Sequence, residues 1–242
     1  MKKRIVFVTF LLCSFIGLIS QETIAAESPN IRPQNSVQVI NKEVHSSVKV
    51  TLNPGDEDET DPEEPNEPND PDPGTHQKGP LSIDQVIKLD FEDRELASGF
   101  QRASLKAKGP QNIQVTDKRG TGKGWSLQVK QGDLTSVESP DYSMKGAYID
   151  FPMMRIQSGK EVAKGVLAPV ANDVAFNEVN KKDFAKIMTA TDGQGMGTWL
   201  GFYNEKTSKK QISLVIPTGG YKGAYKGNVT WLLSEGPIVY SA

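Results

Sequence analysis

The sequence predicts an all-β fold, either a β-sandwich or a barrel-like single domain. From Pro80 onward, short segments rich in Val, Ile, Thr and aromatic residues recur at intervals of roughly ten to fifteen residues. Clusters of Gly, Pro, Asn and Asp separate these segments, as turns do between strands. This part of the chain contains no cysteine, and it is long enough to bury a core without disulfide bonds.

The first 26 residues have the pattern of a secretory signal peptide, and we expect cleavage after Ala25 or Ala26. Basic residues at positions 2–4 precede an apolar run, and small residues follow that run. The alternative is a permanent transmembrane anchor, for which the run is short. Cleavage would also remove Cys13, the only cysteine, so the sequence predicts a secreted protein without disulfide bonds.

Residues 27–46 are polar and have no period, so we expect a flexible N-terminal segment. The next stretch, SVKVTL at residues 47–52, alternates apolar and polar side chains. That alternation predicts a half-buried strand, and we place the start of the domain there, so that the domain spans residues 47–242.

Residues 54–79 are acidic and rich in proline. Between Asp56 and Asp72 there are ten acidic residues and no basic residue. Proline removes backbone donors and like charges repel, so we expect an extended stretch that buries little apolar surface. It is either a long loop inside the domain or a free linker. We favour the loop because a strand at residues 47–52 with one apolar face needs a partner sheet.

After this stretch, eight segments carry the strand pattern. One of them, NKKDFAKIMTA at residues 180–190, could also form a helix, because Phe184, Ile187 and Met188 would share a helical face. We predict a strand there too. The eight segments, in chain order, are PLSIDQVIKLDFED, NIQVTDK, GWSLQVKQG, AYIDFPMMRI, DFAKIMTAT, WLGFY, ISLVIP and GAYKGNVTWLLS.

The charged residues exclude several functions. Residues 79–242 carry 21 Lys and Arg against 17 Asp and Glu, and a net charge of +4 is too small to predict nucleic-acid binding. Both histidines, His45 and His76, lie in the polar region before the strands, so a Ser–His or Cys–His mechanism is not expected. Glycoside hydrolysis needs only a pair of carboxylates, but no Asp or Glu in this sequence stands out from the other charged residues as a candidate. We predict no enzyme, catalytic residue, cofactor or metal site.

Two of the three tryptophans share one spacing. Trp125 precedes Leu127 by two residues, and Trp231 precedes Leu233 by two residues. In a strand, each pair lies on one face, and polar neighbours predict that this face points into the core. The alternative is that the tryptophans stack against sugar rings. Leu232 is an apolar residue on the opposite face, where it could cover a second layer or a partner.

Other aromatic and basic residues are candidates for a surface binding site. Trp199 follows the glycine-rich stretch GQGMG and is the tryptophan most open to exposure, although a core position is at least as compatible with its strand. The stretch GGYKGAYKG could present rings and charges, or it could be an ordinary hairpin turn. The candidates are Trp199, Tyr203, Tyr221, Tyr225, Lys222 and Lys226.

Four stretches together resemble the WxL domain of Gram-positive surface proteins, a family named for two Trp-x-Leu motifs. These stretches are GPLSIDQVIKLDF, VTDKRGTGKGWSLQV, GQGMGTW and VTWLLSEGP, and the acidic stretch resembles the usual lead-in of the family. The resemblance covers residues 47–242. One departure is visible, since the last family motif commonly reads Trp-Thr-Leu followed by Ser/Thr-Asp-Ala-Pro, whereas this chain has Leu232 and SEGP.

The resemblance implies a small WxL protein that is secreted and held non-covalently on the peptidoglycan of the cell wall. The absence of an LPxTG motif agrees with non-covalent attachment. It also implies surface complexes with membrane-anchored partner proteins and larger WxL proteins. The alternative function is a glycan-binding or host-adhesion module, with host matrix proteins as partners.

Overall fold

The computed structural model describes residues 46–177, 179–205 and 210–236. The predicted signal peptide and nearly all of the predicted flexible segment lie outside the described residues. The chain divides into two compact units, residues 1–49 and residues 50–242. Of the first unit only residues 46–49 are described, and they have no regular secondary structure. Nowhere in the described part of the chain is a helix long and apolar enough to cross a bilayer.

The second unit contains fourteen strands and no helix in its described residues, which confirms the predicted all-β fold. The strands are β1 (Leu81–Gln85), β2 (Gln101–Ser104), β3 (Gln111–Asp117), β4 (Trp125–Gln131), β5 (Thr135–Ser136), β6 (Tyr148–Phe151), β7 (Arg155–Ser158), β8 (Val170–Ala171), β9 (Val174–Ala175), β10 (Ala185–Ala190), β11 (Gly197–Tyr203), β12 (Ser213–Ile216), β13 (Tyr225–Lys226) and β14 (Val229–Glu235).

The strands form three four-stranded antiparallel sheets and one two-stranded sheet. The first sheet has the order β1-β3-β11-β7, the second β14-β4-β10-β8, and the third β2-β12-β6-β9; β13 pairs with β5. This order places the last strand of the chain beside β4, so the two strands that carry Trp-x-Leu motifs are neighbours.

One hydrophobic core joins the three large sheets. Val115 of the first sheet, Leu127 of the second and Phe151 of the third are all fully buried within it. The strands contribute alternate side chains to this core, because side chains two apart on a strand lie on the same face. The segment at residues 180–190 follows this plan: it contains strand β10, which confirms the choice of strand over helix.

A β-bulge explains the ambiguous pattern of β10. Its pairing with β4 shifts register between Lys186 and Met188, and both Ile187 and Met188 are completely buried. Since a bulge inserts one extra residue, it lets two consecutive side chains point to the core. Those consecutive apolar residues are what made the stretch resemble a helix.

The predicted strand at residues 47–52 is absent. These residues have no strand structure, and Val48, Val50 and Leu52 are 92%, 75% and 87% exposed. A strand needs a neighbour to bond its backbone groups, and no described strand lies beside this one. Alternation alone therefore predicted a strand that does not form.

The acidic segment, residues 55–79, lies against the first sheet through polar contacts. The side-chain amide of Asn66 donates to the backbone carbonyl of Asn112 at 2.9 Å. The backbone N–H of Asn112 donates in return to Asn66 Oδ1 at 2.6 Å. Gln114 Nε2 donates to the carbonyl of Asp61 at 3.0 Å. These contacts bury the polar outer face of β3, whose seven residues are all buried.

Candidate functional site

The two Trp-x-Leu motifs lie side by side on β4 and β14. Leu127 is directly opposite Leu233, Trp231 is opposite Val129, and Trp125 is opposite the last residue of β14. Because the strands are antiparallel, the two leucines meet in the middle and the two tryptophans lie toward opposite ends. All four motif side chains therefore share one face of the second sheet.

The first motif is fully buried. Trp125 and Leu127 have no exposed surface, and the indole Nε1 of Trp125 donates to the carbonyl of Gly195 at 3.0 Å. Gly195 has a positive φ of 71°, and a Cβ there would lie 2.7 Å from Trp125 Nε1 and would also overlap Ala190. The glycine-rich stretch before β11 is thus packed tightly onto the first tryptophan, where only glycine fits.

The second motif lies at the edge of the same sheet, because β4 is the only described strand with which β14 pairs. Trp231 and Leu233 are partly buried against the core, and the Trp231 ring meets Phe151 edge-on at a centroid distance of 5.9 Å. Leu232 points outward and is 38% exposed. The second tryptophan is therefore at the boundary between the core and solvent.

Trp231 lies between two clefts. The large cleft, with a volume of about 750 Å³, has mainly apolar walls that include Leu134, Ile149 and Val229. The small cleft, of about 480 Å³, separates Leu81 and the rest of β1 from β14. Trp231 lines both clefts, so the second motif borders space that a ligand can enter.

A third cleft of about 450 Å³, the tyrosine cleft, adjoins the large cleft and shares Tyr225 with it. Tyr221 and Lys222 line the tyrosine cleft, and Lys226 lines the large one. The Tyr225 hydroxyl donates to the carbonyl of Tyr221 at 2.8 Å. The structure therefore brings these four predicted surface residues together on one segment, residues 221–226, which borders both clefts and whose strand β13 pairs with β5.

Sequence reasoning missed Tyr142, which completes this aromatic cluster. Its ring centroid is 4.7 Å from that of Tyr221 and 6.2 Å from that of Tyr225. Partial burial raises the pKa of Tyr225, so its hydroxyl remains a hydrogen-bond donor at neutral pH. Backbone N–H groups of Glu138 itself and of Ala224 donate to the Glu138 carboxylate and lower its pKa. Glu138 therefore remains a carboxylate beside the segment that carries Tyr221 and Tyr225.

Trp199 and Tyr203 are not surface residues. They are 4% and 2% exposed, and the Trp199 indole nitrogen donates to the carbonyl of Met196 at 3.0 Å. Both lie on β11, which has β3 on one side and β7 on the other. The expectation that they offer rings to a ligand is therefore wrong, because both side chains are packed into the core.

Arg119 was also missed, although it holds the end of the second motif in place. Its guanidinium donates to both carboxylate oxygens of Asp117, at 3.0 and 2.8 Å, and to the carbonyl of Gly124 at 2.8 Å. It also lies 3.5 Å from Glu235 at the end of β14. The hydrogen bonds that Arg119 donates to the carboxylate of Asp117 raise the pKa of Arg119. This one side chain connects β3, β4 and β14.

The walls of these clefts suit binding by contact and stacking. Apolar side chains and tyrosine rings bury a ligand surface, and the charged groups that also line the clefts fix its orientation. Among residues 46–177, 179–205 and 210–236, no three His, Cys, Asp or Glu side chains converge in a way that could hold a metal ion.

The fold and this region define a class of protein: an all-β domain with two neighbouring Trp-x-Leu strands, of which the second borders open clefts. A family model described as "WxL domain surface cell wall-binding" matches residues 39–237. The chain therefore belongs to the WxL domain family, whose members are surface domains that bind the cell wall, and the resemblance in its sequence is confirmed. Comparisons with curated proteins and with solved structures find no match.

Proposed function

We propose that this protein is a secreted component of the Gram-positive cell surface that is held non-covalently on wall peptidoglycan. It works there in complexes with larger WxL proteins and membrane-anchored partners. Membership of a wall-binding family supports this function. The observation that carries it is the continuous region formed by the large cleft and the tyrosine cleft, which share lining residues beside the second motif.

The chemistry of this region suits a wall polymer. Tyrosine rings offer flat faces for sugar rings at a low cost in side-chain entropy. Lys222 and Lys226 stand beside these rings and can pair with the carboxylates of peptide stems. The net charge of +4 over residues 79–242 adds a weak attraction to an anionic wall, screened beyond about 8 Å at physiological salt.

The test is co-sedimentation with purified sacculi, prepared with and without teichoic acid. We expect the protein to bind bare sacculi, and Tyr221→Ala together with Tyr225→Ala to weaken that binding. Met153→Ala is the matched control, because Met153 is an exposed apolar residue that lines none of the three clefts. Binding that needs teichoic acid, or binding that survives the tyrosine variants, would contradict this assignment of the site.

The complexes with partner proteins are supported by the apolar walls of the large cleft, because protein interfaces have apolar centres with polar rims. Cross-linking on intact cells followed by mass spectrometry would identify the neighbours. We expect membrane-anchored proteins and larger WxL proteins among them. Cross-links confined to wall fragments would contradict the proposed complexes.

The tyrosine cluster favours a second candidate function, in which the protein binds a soluble glycan or a host matrix protein. The rings of Tyr221 and Tyr225 each lie within 7 Å of the Tyr142 ring, and such a cluster of aromatic faces is not specific to the wall. Binding to a glycan array or to immobilised matrix protein, with none to bare sacculi, would support this candidate against wall attachment.

A further inference from the structure

Strand β14 has an open backbone edge. The amide of Gly132 donates to the carbonyl of Asn228, and the amide of Gly236 donates to the carbonyl of Gly124. In an antiparallel pair the bonded residues alternate, so the even-numbered residues of β14 bond to β4. The amide and carbonyl groups of the odd-numbered residues then point away from the sheet, and no described backbone group bonds to them. Those residues are Val229, Trp231, Leu233 and Glu235.

This edge lacks the features that usually protect an edge strand. Natural edges are short, charged, broken by proline or covered. The opposite edge of the same sheet, β8, has two residues, and the edge of β1 is covered where Thr75 donates to the carbonyl of Asp84 at 2.9 Å. Strand β14 has seven residues, and residues 229–234 include neither a charge nor a proline. It is the longest open edge among the described strands.

We propose that a second copy of this chain pairs with this edge, with strand β14 antiparallel to β14 across a two-fold axis at Leu232. Only residues with free backbone groups can bond across the new pair, so odd-numbered residues must face odd-numbered residues. Centring the axis on Leu232 satisfies this rule and pairs all seven residues. The two sheets then join into one sheet of eight strands.

The sequence of β14 fits its own reverse in this register. Trp231 faces Leu233 of the partner subunit on the inner side, and Thr230 faces Ser234 of the partner subunit on the outer side. At the centre of the pair, polar residues face polar residues and large apolar residues face large apolar residues; only the two end pairs, Glu235 with Val229 of the partner subunit, are mixed. This self-complementarity is what a symmetric interface requires, and it favours a second copy over an unrelated strand.

Leu232 supports the same arrangement. It is the outward apolar residue of β14 and is 38% exposed in the single chain. On the axis it would face Leu232 of the partner subunit in a non-hydrogen-bonded pair, where side chains are closest. No like charges oppose each other in this register, because Glu235 faces Val229 of the partner subunit. Pairing thus covers an apolar side chain and completes a row of hydrogen bonds.

The test measures the oligomeric state of the purified protein by sedimentation velocity across a dilution series. We expect a dimer, and we expect Leu232→Lys to weaken it at least about tenfold, because two like charges would meet at the axis. Leu167→Lys is the matched control: the same change at an exposed leucine near β8, the opposite edge of the sheet. The control should remain a dimer.

A mixing experiment separates this pairing from any effect on folding. Leu232→Lys and Leu232→Glu should each be monomeric with unchanged far-UV circular dichroism, and their mixture should form a heterodimer, since opposite charges then meet at the axis. A monomeric parent protein at every concentration would overturn the proposal. A dimer that Leu232→Lys leaves intact would overturn it as well. Neither result bears on binding to sacculi.

Discussion

The two Trp-x-Leu motifs have the same spacing but occupy different positions in one sheet. Strand β4 carries the first motif and lies between β14 and β10. Strand β14 carries the second motif and has one described neighbour, β4. The first pair is fully buried, and the second pair lies beside two clefts. The comparison teaches that spacing determines which face a side chain takes, and that strand order decides whether this face is closed or accessible.

The surroundings of the two motifs differ in the same way. The first tryptophan is enclosed by the turn at Gly195, which accepts its indole hydrogen bond. The second tryptophan borders the end of the acidic segment, since Gln77 and Lys78 line the small cleft with Trp231. One motif is therefore enclosed by a tight turn, and the other borders a cleft that is also lined by the end of the acidic segment.

The largest expected effect is that of Trp125→Ala. Removing a fully buried indole leaves a cavity, and we expect the free energy of unfolding to fall by roughly 3–5 kcal/mol. Urea denaturation followed by far-UV circular dichroism measures this loss. Any loss of wall binding in this variant would report unfolding. A cost below about 1 kcal/mol would show that the first motif is not part of the core.

The second expected effect concerns the turn that encloses the first motif. Gly195→Ala should cost roughly 2–4 kcal/mol, because the added methyl group would collide with Trp125 and Ala190 at a positive φ. Gly193→Ala is the matched control. It has a similar φ of 76° but no atom within 4 Å of its Cβ, so only the backbone strain of about 1 kcal/mol should appear. Equal costs at both positions would contradict the packing on Trp125.

The third prediction tests the second motif directly. Trp231→Ala should cost roughly 1–3 kcal/mol, less than Trp125→Ala, because part of the indole is already exposed and the neighbouring side chains can relax into the cleft. The same urea denaturation measures it. If the two tryptophan variants cost the same, the edge position of β14 has no energetic consequence and the comparison between the motifs fails.

Much of the fold could be predicted from local alternation. The segments around Trp125 and Trp231 alternate apolar and polar residues, and both form strands with the tryptophan on the inner face. Alternation failed at residues 47–52, because a strand also needs a partner, and sequence spacing does not show whether one is present. Short strands such as β8 and β9 were missed, since two residues carry no period.

The candidate site was harder to predict, because it depends on contacts between distant parts of the chain. Tyr142 and Tyr221 are far apart in sequence, and only the pairing of β13 with β5 brings their segments together. The glycines before Trp199 leave both a surface and a core position open to it, and the structure buries it on a strand that is interior to the first sheet. Local composition did not contain the strand order that decides both cases.

The smallest expected effect is a pH dependence near the second motif. In the acidic segment, His76 Nδ1 lies 3.0 Å from Glu59 Oε2, and Nε2 lies 2.8 Å from Asp72 Oδ1. The hydrogen bond from the His76 ring to the Glu59 carboxylate and the charge of Asp72 raise the pKa of His76. The resulting stabilisation is present in full below the unfolded pKa of about 6.5, and it is lost as pH rises through the raised folded value.

We therefore expect amide hydrogen exchange in residues 57–79, corrected for the intrinsic effect of pH, to accelerate as pH rises through the folded pKa of His76. Exchange in β4, which surrounds the first motif, should show no such step. His76→Gln should remove the step, and His45→Gln, the change at the other histidine, should leave it. A step of equal size in β4 would show that the two motifs respond as one unit, and the contrast between a closed and an accessible motif would then fail.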